Sequence, residues 1–248
     1  FFGELSLDGS IRAIRGTIQR AAEPGTMIVP VDCAFEAIQV KEDVIPVTSL
    51  RDVYDFLVFG RVNVDRVPAL TSKREISGDW RDVRGNRLAK SALEIAAAGG
   101  HDVLLVGPPG AGKTMLSRRV PTILPEMSKK ECIEVTSVYS AAGMLPRGSG
   151  LIKDRPFRAP HHTVSDIGLI GGGKSPRPGE VSLAHNGVLF LDEFPEFSRR
   201  ALDCLRQPLE DGEVTISRAA GTARFPSRFM LIAAMNPCPC GWFGYSDY

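Results

Sequence analysis

The sequence predicts an α/β fold organised on a parallel sheet, and two segments carry that prediction. Gly107-Pro108-Pro109-Gly110-Ala111-Gly112-Lys113-Thr114 is a complete phosphate-binding loop set between the apolar run Asp102–Val106 and a helix-forming stretch from Met115. Val188-Leu189-Phe190-Leu191 is four apolar residues ending in Asp192-Glu193, the composition of a strand buried on both faces with carboxylates where it leaves the sheet. Strand, glycine-rich loop and helix in that order let backbone N–H groups cradle phosphates.

Each residue of these motifs has a predicted task. Glycines 107, 110 and 112 let the backbone wrap, with Pro108, Pro109, Ala111 and Met115 completing the nucleotide-contacting run. Lys113 neutralises the outer phosphates of a nucleoside triphosphate, and the Thr114 hydroxyl ligates Mg²⁺. Asp192 holds the same Mg²⁺ directly or through water, while Glu193 is placed to polarise an attacking water. Behind a phosphate loop, the acidic pair predicts hydrolysis rather than binding alone.

Taken in order, residues 1–66 read as a first α+β unit. Ile28-Val29-Pro30 is a short strand, and helical patterns fall around Ile11–Ala22 and Leu50–Phe59. Residues 67–85, with Pro68, Gly78 and several charges, read as a linker ending in Val83-Arg84-Gly85. Residues 86–248 form the second domain. Leu88–Ala98 has helical spacing and stops at Gly99-Gly100, a glycine cap directly before the phosphate-loop strand. Beyond Pro121, Cys132–Val138 reads as a strand and Gly143–Gly179 as a long irregular insertion. Glu213–Ser217 and Thr222–Phe225, joined by Arg218-Ala219-Ala220-Gly221, read as a β-hairpin. Phe229–Ala234 is then a further buried strand, and it leads to Asn236.

Composition narrows the class. With 248 residues and 43% hydrophobic content the chain builds one large or two modest cores. Thirty basic against 29 acidic residues leave a net charge of +1, so any basic surface is local. The sequence has neither an 18-residue apolar run nor a basic-then-apolar leader, and a cytoplasmic protein without a membrane partner is expected. Cys33, Cys132 and Cys204, scattered singly, fit reduced core thiols.

Together these motifs resemble an AAA+ ATPase: the phosphate loop, the acidic strand end Asp192-Glu193, and Asn236 at the tip of the next core strand. The resemblance implies a three-layer core with ATP and Mg²⁺ as cofactors. It also implies that Asn236 orients the hydrolytic water and that Val83 and Gly85 lie against the adenine. Three phrases are more specific: Arg158-Ala159-Pro160-His161-His162-Thr163, Pro178-Gly179-Glu180-Val181-Ser182-Leu183-Ala184-His185-Asn186-Gly187, and Asn236-Pro237-Cys238-Pro239-Cys240-Gly241. They resemble the ComM (YifB) group of magnesium-chelatase-like proteins. The stretch from Gly3-Glu4-Leu5-Ser6-Leu7-Asp8-Gly9 to Val29-Pro30 is similar to part of the Lon-protease-like (S5-like) domain that precedes the ATPase in that group. The run Ile14–Gln19 offers no Lys for a Ser and Lys pair, so peptidase activity is not expected. A fifth core strand, an Arg finger and a helical lid are implied beyond Tyr248. A finger supplied to a neighbour is worth ~10³ to 10⁵ in rate, so this stretch alone is expected to bind nucleotide better than it hydrolyses it.

Members of that group resemble ring helicases that drive branch migration in competence and recombination, which implies DNA, single-stranded or branched, as partner and a homo-hexamer as working form. Between Leu145 and Glu180 the segment carries Arg147, Lys153, Arg155, Arg158, Lys174 and Arg177 against Asp154, Asp166 and Glu180, a net +3, and the hairpin adds Arg218, Arg224 and Arg228 against Glu213. Such side chains track a phosphate backbone in a salt-dependent way. The same family likeness leaves two other readings, a magnesium-chelatase-type ATPase subunit and a protein remodeller. His161, His162 and His185 lack the spacing of a helical ligand pair, and structural hydrogen bonding is expected of them. Cys238 and Cys240 supply half of a tetrahedral zinc set.

Overall fold

The computed structural model describes residues 1–62, 78–145, 150–173, 176–218 and 221–238. The chain opens with strands β1 (Glu4–Leu5) and β2 (Ile11–Arg12), helix α1 (Thr17–Ala21), β3 (Met27–Pro30), α2 (Val31–Ala37), β4 (Val44–Val47) and α3 (Leu50–Phe59). A short 3-10 turn, Trp80–Asp82, leads into α4 (Arg87–Gly99), β5 (Val103–Val106), α5 (Lys113–Arg119) and α6 (Lys129–Ala142). Then come β6 (Phe157–Arg158), α7 (Asp166–Ile170), β7 (Gly171–Gly172), β8 (Arg177–Pro178), α8 (Glu180–Leu183) and β9 (Val188–Leu191). Helices α9 (Arg199–Cys204) and α10 (Arg206–Asp211) precede β10 (Glu213–Arg218), β11 (Gly221–Pro226) and β12 (Met230–Met235).

These elements form two compact units. One comprises the N-terminal segment together with Lys129–Ile152, and the other the stretches on either side of that return. In the first unit β3 pairs in parallel with β4, Val29 opposite Pro46, and β1 pairs antiparallel with β2. Every residue of β3 is buried; Met27 and Val29 pack with Ala21, Cys33, Ala34 and Ala37 of the flanking helices, and Ile28 packs on the opposite face with Ile11, Val47 and Val53. Helix α3 matches the predicted Leu50–Phe59 because both ends are specified locally. The Ser49 hydroxyl accepts from the Asp52 N–H at 3.3 Å, the Asp52 carboxylate accepts from the Ser49 N–H at 2.9 Å, and Gly60 closes the helix at φ 65°.

Four expectations are corrected here. Cys132–Val138 is not a strand but the middle of α6, where Cys132, Val135, Thr136, Val138 and Tyr139 are buried at helical spacing. Its β-branched residues mimicked a strand, and tertiary burial overrode them. This helix also belongs with the N-terminal unit rather than with the predicted 86–248 domain. There the Ser140 hydroxyl donates to Glu36 at 2.7 Å and accepts from the Gly16 N–H at 3.2 Å. Burial pushes the Glu36 carboxyl above its ordinary value, partly offset by the Ser140 bond. The predicted linker 67–85 is the third correction. Residues 63–77 lie outside the described residues, but Trp80 and Val83 are core residues of the second unit. The helical pattern around Ile11–Ala22 resolves into β2 followed by the shorter α1.

The second unit contains a four-stranded sheet of order β5-β12-β9-β6, parallel throughout. All four residues of β9 are buried, as its unbroken apolar composition requires of a strand covered on both faces. Phe190 stacks on Phe157 with ring centroids 5.9 Å apart, and both pack with Leu93, Leu116, Val120, Met230 and Ile232. Strand β12 runs between β5 and β9, so Asn236 emerges between the phosphate loop and the acidic pair. The predicted hairpin forms as β10-β11 with Ser217 opposite Thr222, and pairing extends to Arg218 and Gly221, expected from the sequence to lie in the connection.

Candidate nucleotide-binding site

The phosphate loop joins β5 to α5, and Gly110 and Gly112 sit at φ 77° and 87°, where L side chains are strained. Gly112 is the N-cap of α5 and brings no side-chain acceptor, which leaves first-turn N–H groups for phosphate oxygens. The Lys113 ammonium donates to the Gly107 carbonyl at 2.6 Å, the Pro108 carbonyl at 3.1 Å and Asn236 Oδ1 at 3.0 Å. That last contact exists because β12 is the neighbour of β5; 123 positions separate the two residues in sequence.

Thr114 Oγ1 donates to Asp192 Oδ2 at 2.7 Å, joining the loop to the end of β9. A hydroxyl and a carboxylate brought to that distance are the hard oxygen donors that Mg²⁺ takes, so the residues present fit the ion. Glu193 follows in the left-handed region at φ 51°, its N–H donating to Asp192 Oδ1 at 3.0 Å. A glutamate held there sits at an abrupt turn off the strand, the kind of strain found at functional sites. Pro109 to Met115, Asp192, Glu193, Met235 and Asn236 line one cavity of about 400 Å³. The structure thus brings together the predicted Lys113, Thr114, Asp192, Glu193 and Asn236.

Val83 and Gly85 are not among the lining residues. Val83 is 3% exposed and packs in the core beside Trp80 and Leu93, so its side chain is not presented to the cavity. The neighbouring Asn86 was not anticipated. It adopts φ 45° at the start of α4, and its Nδ2 donates to the Ala111 carbonyl at 3.0 Å, tying α4 to the phosphate loop. Only an asparagine at a left-handed helix start hinted at it.

The basic residues divide. Arg158 is closed on Glu180 by two bonds of 2.6 and 2.7 Å. Arg155 donates to the carbonyls of Pro125 at 2.5 Å and Asn186 at 2.6 Å, and Arg224 pairs across the hairpin with Glu213 at 3.7 Å. Arg147 and Lys174 lie outside the described residues. His185 is buried and accepts at Nδ1 from the Arg228 N–H at 3.1 Å, the hydrogen-bonding role expected of it. His162 contacts Glu193, with Nδ1 3.0 Å from Oε2. Among the described residues no cluster of three or more His, Cys, Asp or Glu side chains is arranged to hold a metal, and Cys240 lies outside them. Cys33, Cys132 and Cys204 are free thiols, as expected. No helix among the described residues is long and apolar enough to cross a membrane.

A phosphate loop, an acidic end on β9 and an asparagine ending the strand between them define a P-loop domain of the AAA+ type. The chain belongs to the family of magnesium chelatase, subunit ChlI, whose family model matches residues 79–247, and within it to the ComM/YifB group. It is 46% identical over 246 residues to a Mycobacterium tuberculosis protein, covering 96% of this chain and 49% of that one. Competence protein ComM of Haemophilus influenzae is 46% identical over 98% of this chain and 50% of its own length. The magnesium-chelatase 38 kDa subunit of Rhodobacter capsulatus is 28% identical over 62% of this chain and 48% of its own. The chain therefore spans about half the length of the curated relatives it matches. Among solved structures, NtrX from Brucella abortus in complex with ATP aligns at TM-score 0.42 and 23% identity, over 65% of this chain and 33% of that one, too loosely to argue from.

Proposed function

We propose that the protein is an ATP-hydrolysing AAA+ motor acting on DNA as a homo-hexamer, in competence or recombination. The observation that carries the ATPase reading is the convergence of Lys113, Thr114, Asp192 and Asn236 on one cavity with Glu193 in its wall. Lys113 exchanges its bonds to the Gly107 and Pro108 carbonyls for the outer phosphate oxygens. Asn236, already bonded to that ammonium, orients the attacking water, and Glu193 accepts its proton. Thr114 and Asp192 would hold Mg²⁺, which when bound neutralises charge on the phosphates.

Support for DNA as the partner comes from the likeness to ComM, the net +3 of Leu145–Glu180 and the arginines of the β10-β11 hairpin. The ChlI family match equally supports a chelatase-type subunit or a protein remodeller. Steady-state ATP hydrolysis by the full-length protein, with and without single-stranded and branched DNA at several salt concentrations, separates them. Stimulation that fades with salt is expected of the DNA motor. Turnover indifferent to DNA overturns that reading in favour of a remodeller of protein partners, and sedimentation with nucleotide tests the hexamer.

A further inference from the structure

We infer that Asn86 is a positioning residue of the nucleotide site: its side-chain amide fixes the Ala111–Gly112 peptide so that the Gly112 N–H, and not a carbonyl, faces the phosphates. This inference deepens the ATPase reading above and rests on it.

An asparagine that opens a helix ordinarily takes an extended backbone and turns its side-chain oxygen back onto the first-turn N–H groups. Asn86 does neither. It opens α4 at φ 45° and ψ 43°, its carbonyl accepts from the Lys90 N–H at 2.9 Å, and its side chain makes no capping bond. Nδ2 reaches out of the helix instead, to the Ala111 carbonyl at 3.0 Å. A forgone cap and a left-handed backbone together point to a task outside the helix. Two of the three described non-glycine residues at positive φ, Asn86 and Glu193, adjoin this site. The turn that aims Asn86 is itself held. Gly85 precedes it at φ 75°, the Val83 carbonyl accepts from Lys90 Nζ at 3.1 Å, and Val83 and Trp80 are buried in the core.

What the bond does follows from peptide planarity. In a trans peptide the C=O and the next N–H point in opposite directions. Drawing the Ala111 carbonyl toward α4 therefore turns the Gly112 N–H the other way, to the side on which Ala111 and Gly112 line the cavity. No backbone bond among the described residues takes that N–H. Gly112, at φ 87°, tolerates either sign of φ, so without a tether this peptide can turn over and present a carbonyl oxygen to an anion. The Gly107 and Pro108 carbonyls are held by Lys113, at 2.6 and 3.1 Å, and that hold ends when the ammonium turns to the phosphates. Asn86 is not among the residues lining the cavity, so its bond to Ala111 outlasts the exchange. The loop then meets its ligand with the peptide already oriented, which lowers the cost of binding.

The test is nucleotide affinity and ATP turnover of the full-length protein carrying Asn86→Gly or Asn86→Gln. Glycine keeps the left-handed backbone and deletes the donor, and glutamine restores an amide on a side chain one methylene longer. Loss of one hydrogen bond predicts that Asn86→Gly weakens the Mg²⁺ complexes of ATP and ADP alike, by about threefold to tenfold in Kd. KM should rise by the same factor with kcat changed less than about twofold, because the Gly112 N–H serves bound substrate and transition state equally. Asn86→Gln should recover part of the loss. Inorganic tripolyphosphate with Mg²⁺, competing against a fluorescent nucleotide, separates phosphate from base, and it should lose affinity by the same factor as ATP. A glycine variant with the parent's Kd would overturn the inference. So would a tripolyphosphate affinity unmoved while that for ATP falls, which would assign Asn86 to the base. Failure of the underlying reading looks different: the parent and Lys113→Ala would then bind nucleotide equally.

Discussion

Replacing Arg158 by alanine breaks a closed ion pair, and its cost follows from the structure. Arg158 ends β6 and Glu180 opens α8; the guanidinium meets the carboxylate through two bonds of 2.6 and 2.7 Å, with side chains 22% and 21% exposed. Such a two-point contact is the strong form of the interaction. Removing one partner of a fully buried pair costs about 3–5 kcal/mol, chiefly by leaving the other charge without compensation. Here water reaches about a fifth of each side chain, so we expect about 2–3 kcal/mol for Arg158→Ala. In a chain of this size that lowers Tm by about 4–12 °C. Urea unfolding of Arg158→Ala, Glu180→Ala and the double variant closes a cycle whose coupling should exceed about 1 kcal/mol. Replacing both by methionine should recover most of the loss, since an apolar pair has no charge to desolvate. An Arg158→Ala variant within about 0.5 kcal/mol of the parent, the range of an ordinary surface change, would refute the reasoning and return Arg158 to the basic residues available to a phosphate backbone.

Lys113→Ala should abolish nucleotide binding, whereas Glu193→Gln should preserve it and lower kcat by ~10² to 10⁴; equilibrium titration with a fluorescent nucleotide and a phosphate-release assay read the two effects. Phe190→Ala, at a site 1% exposed and stacked on Phe157, should cost about 3–5 kcal/mol in denaturant unfolding. Glu36 binds its proton more tightly folded than unfolded, so its contribution is fully present below the ordinary value of 4.5 and is lost as pH rises through the raised folded value. Glu36→Gln should therefore flatten the pH dependence of stability just above pH 4.5, as measured by thermal melts across that range.

The sequence alone determined the chemistry of the nucleotide site and the strands that carry it. A glycine-rich loop and an unbroken apolar strand ending in carboxylates are local patterns whose physical requirements are met within a few residues: positive φ at Gly110 and Gly112, and burial on both faces of Val188–Leu191. Helix α3 was legible for the same reason, since Ser49, Asp52 and Gly60 set its ends by nearest-neighbour bonds. Residues 132–138 misled because β-branched side chains favour strands until burial at a 3.6-residue spacing decides otherwise. The pairings that complete the site depended on strand order, which no local pattern encodes. Placing β12 between β5 and β9 brings Asn236 to Lys113, and placing β6 beyond β9 brings His162 to Glu193. The sequence likewise counted Arg158 only as a positive charge; tertiary structure made it half of an ion pair, because what a guanidinium does depends on the carboxylate that folding places against it.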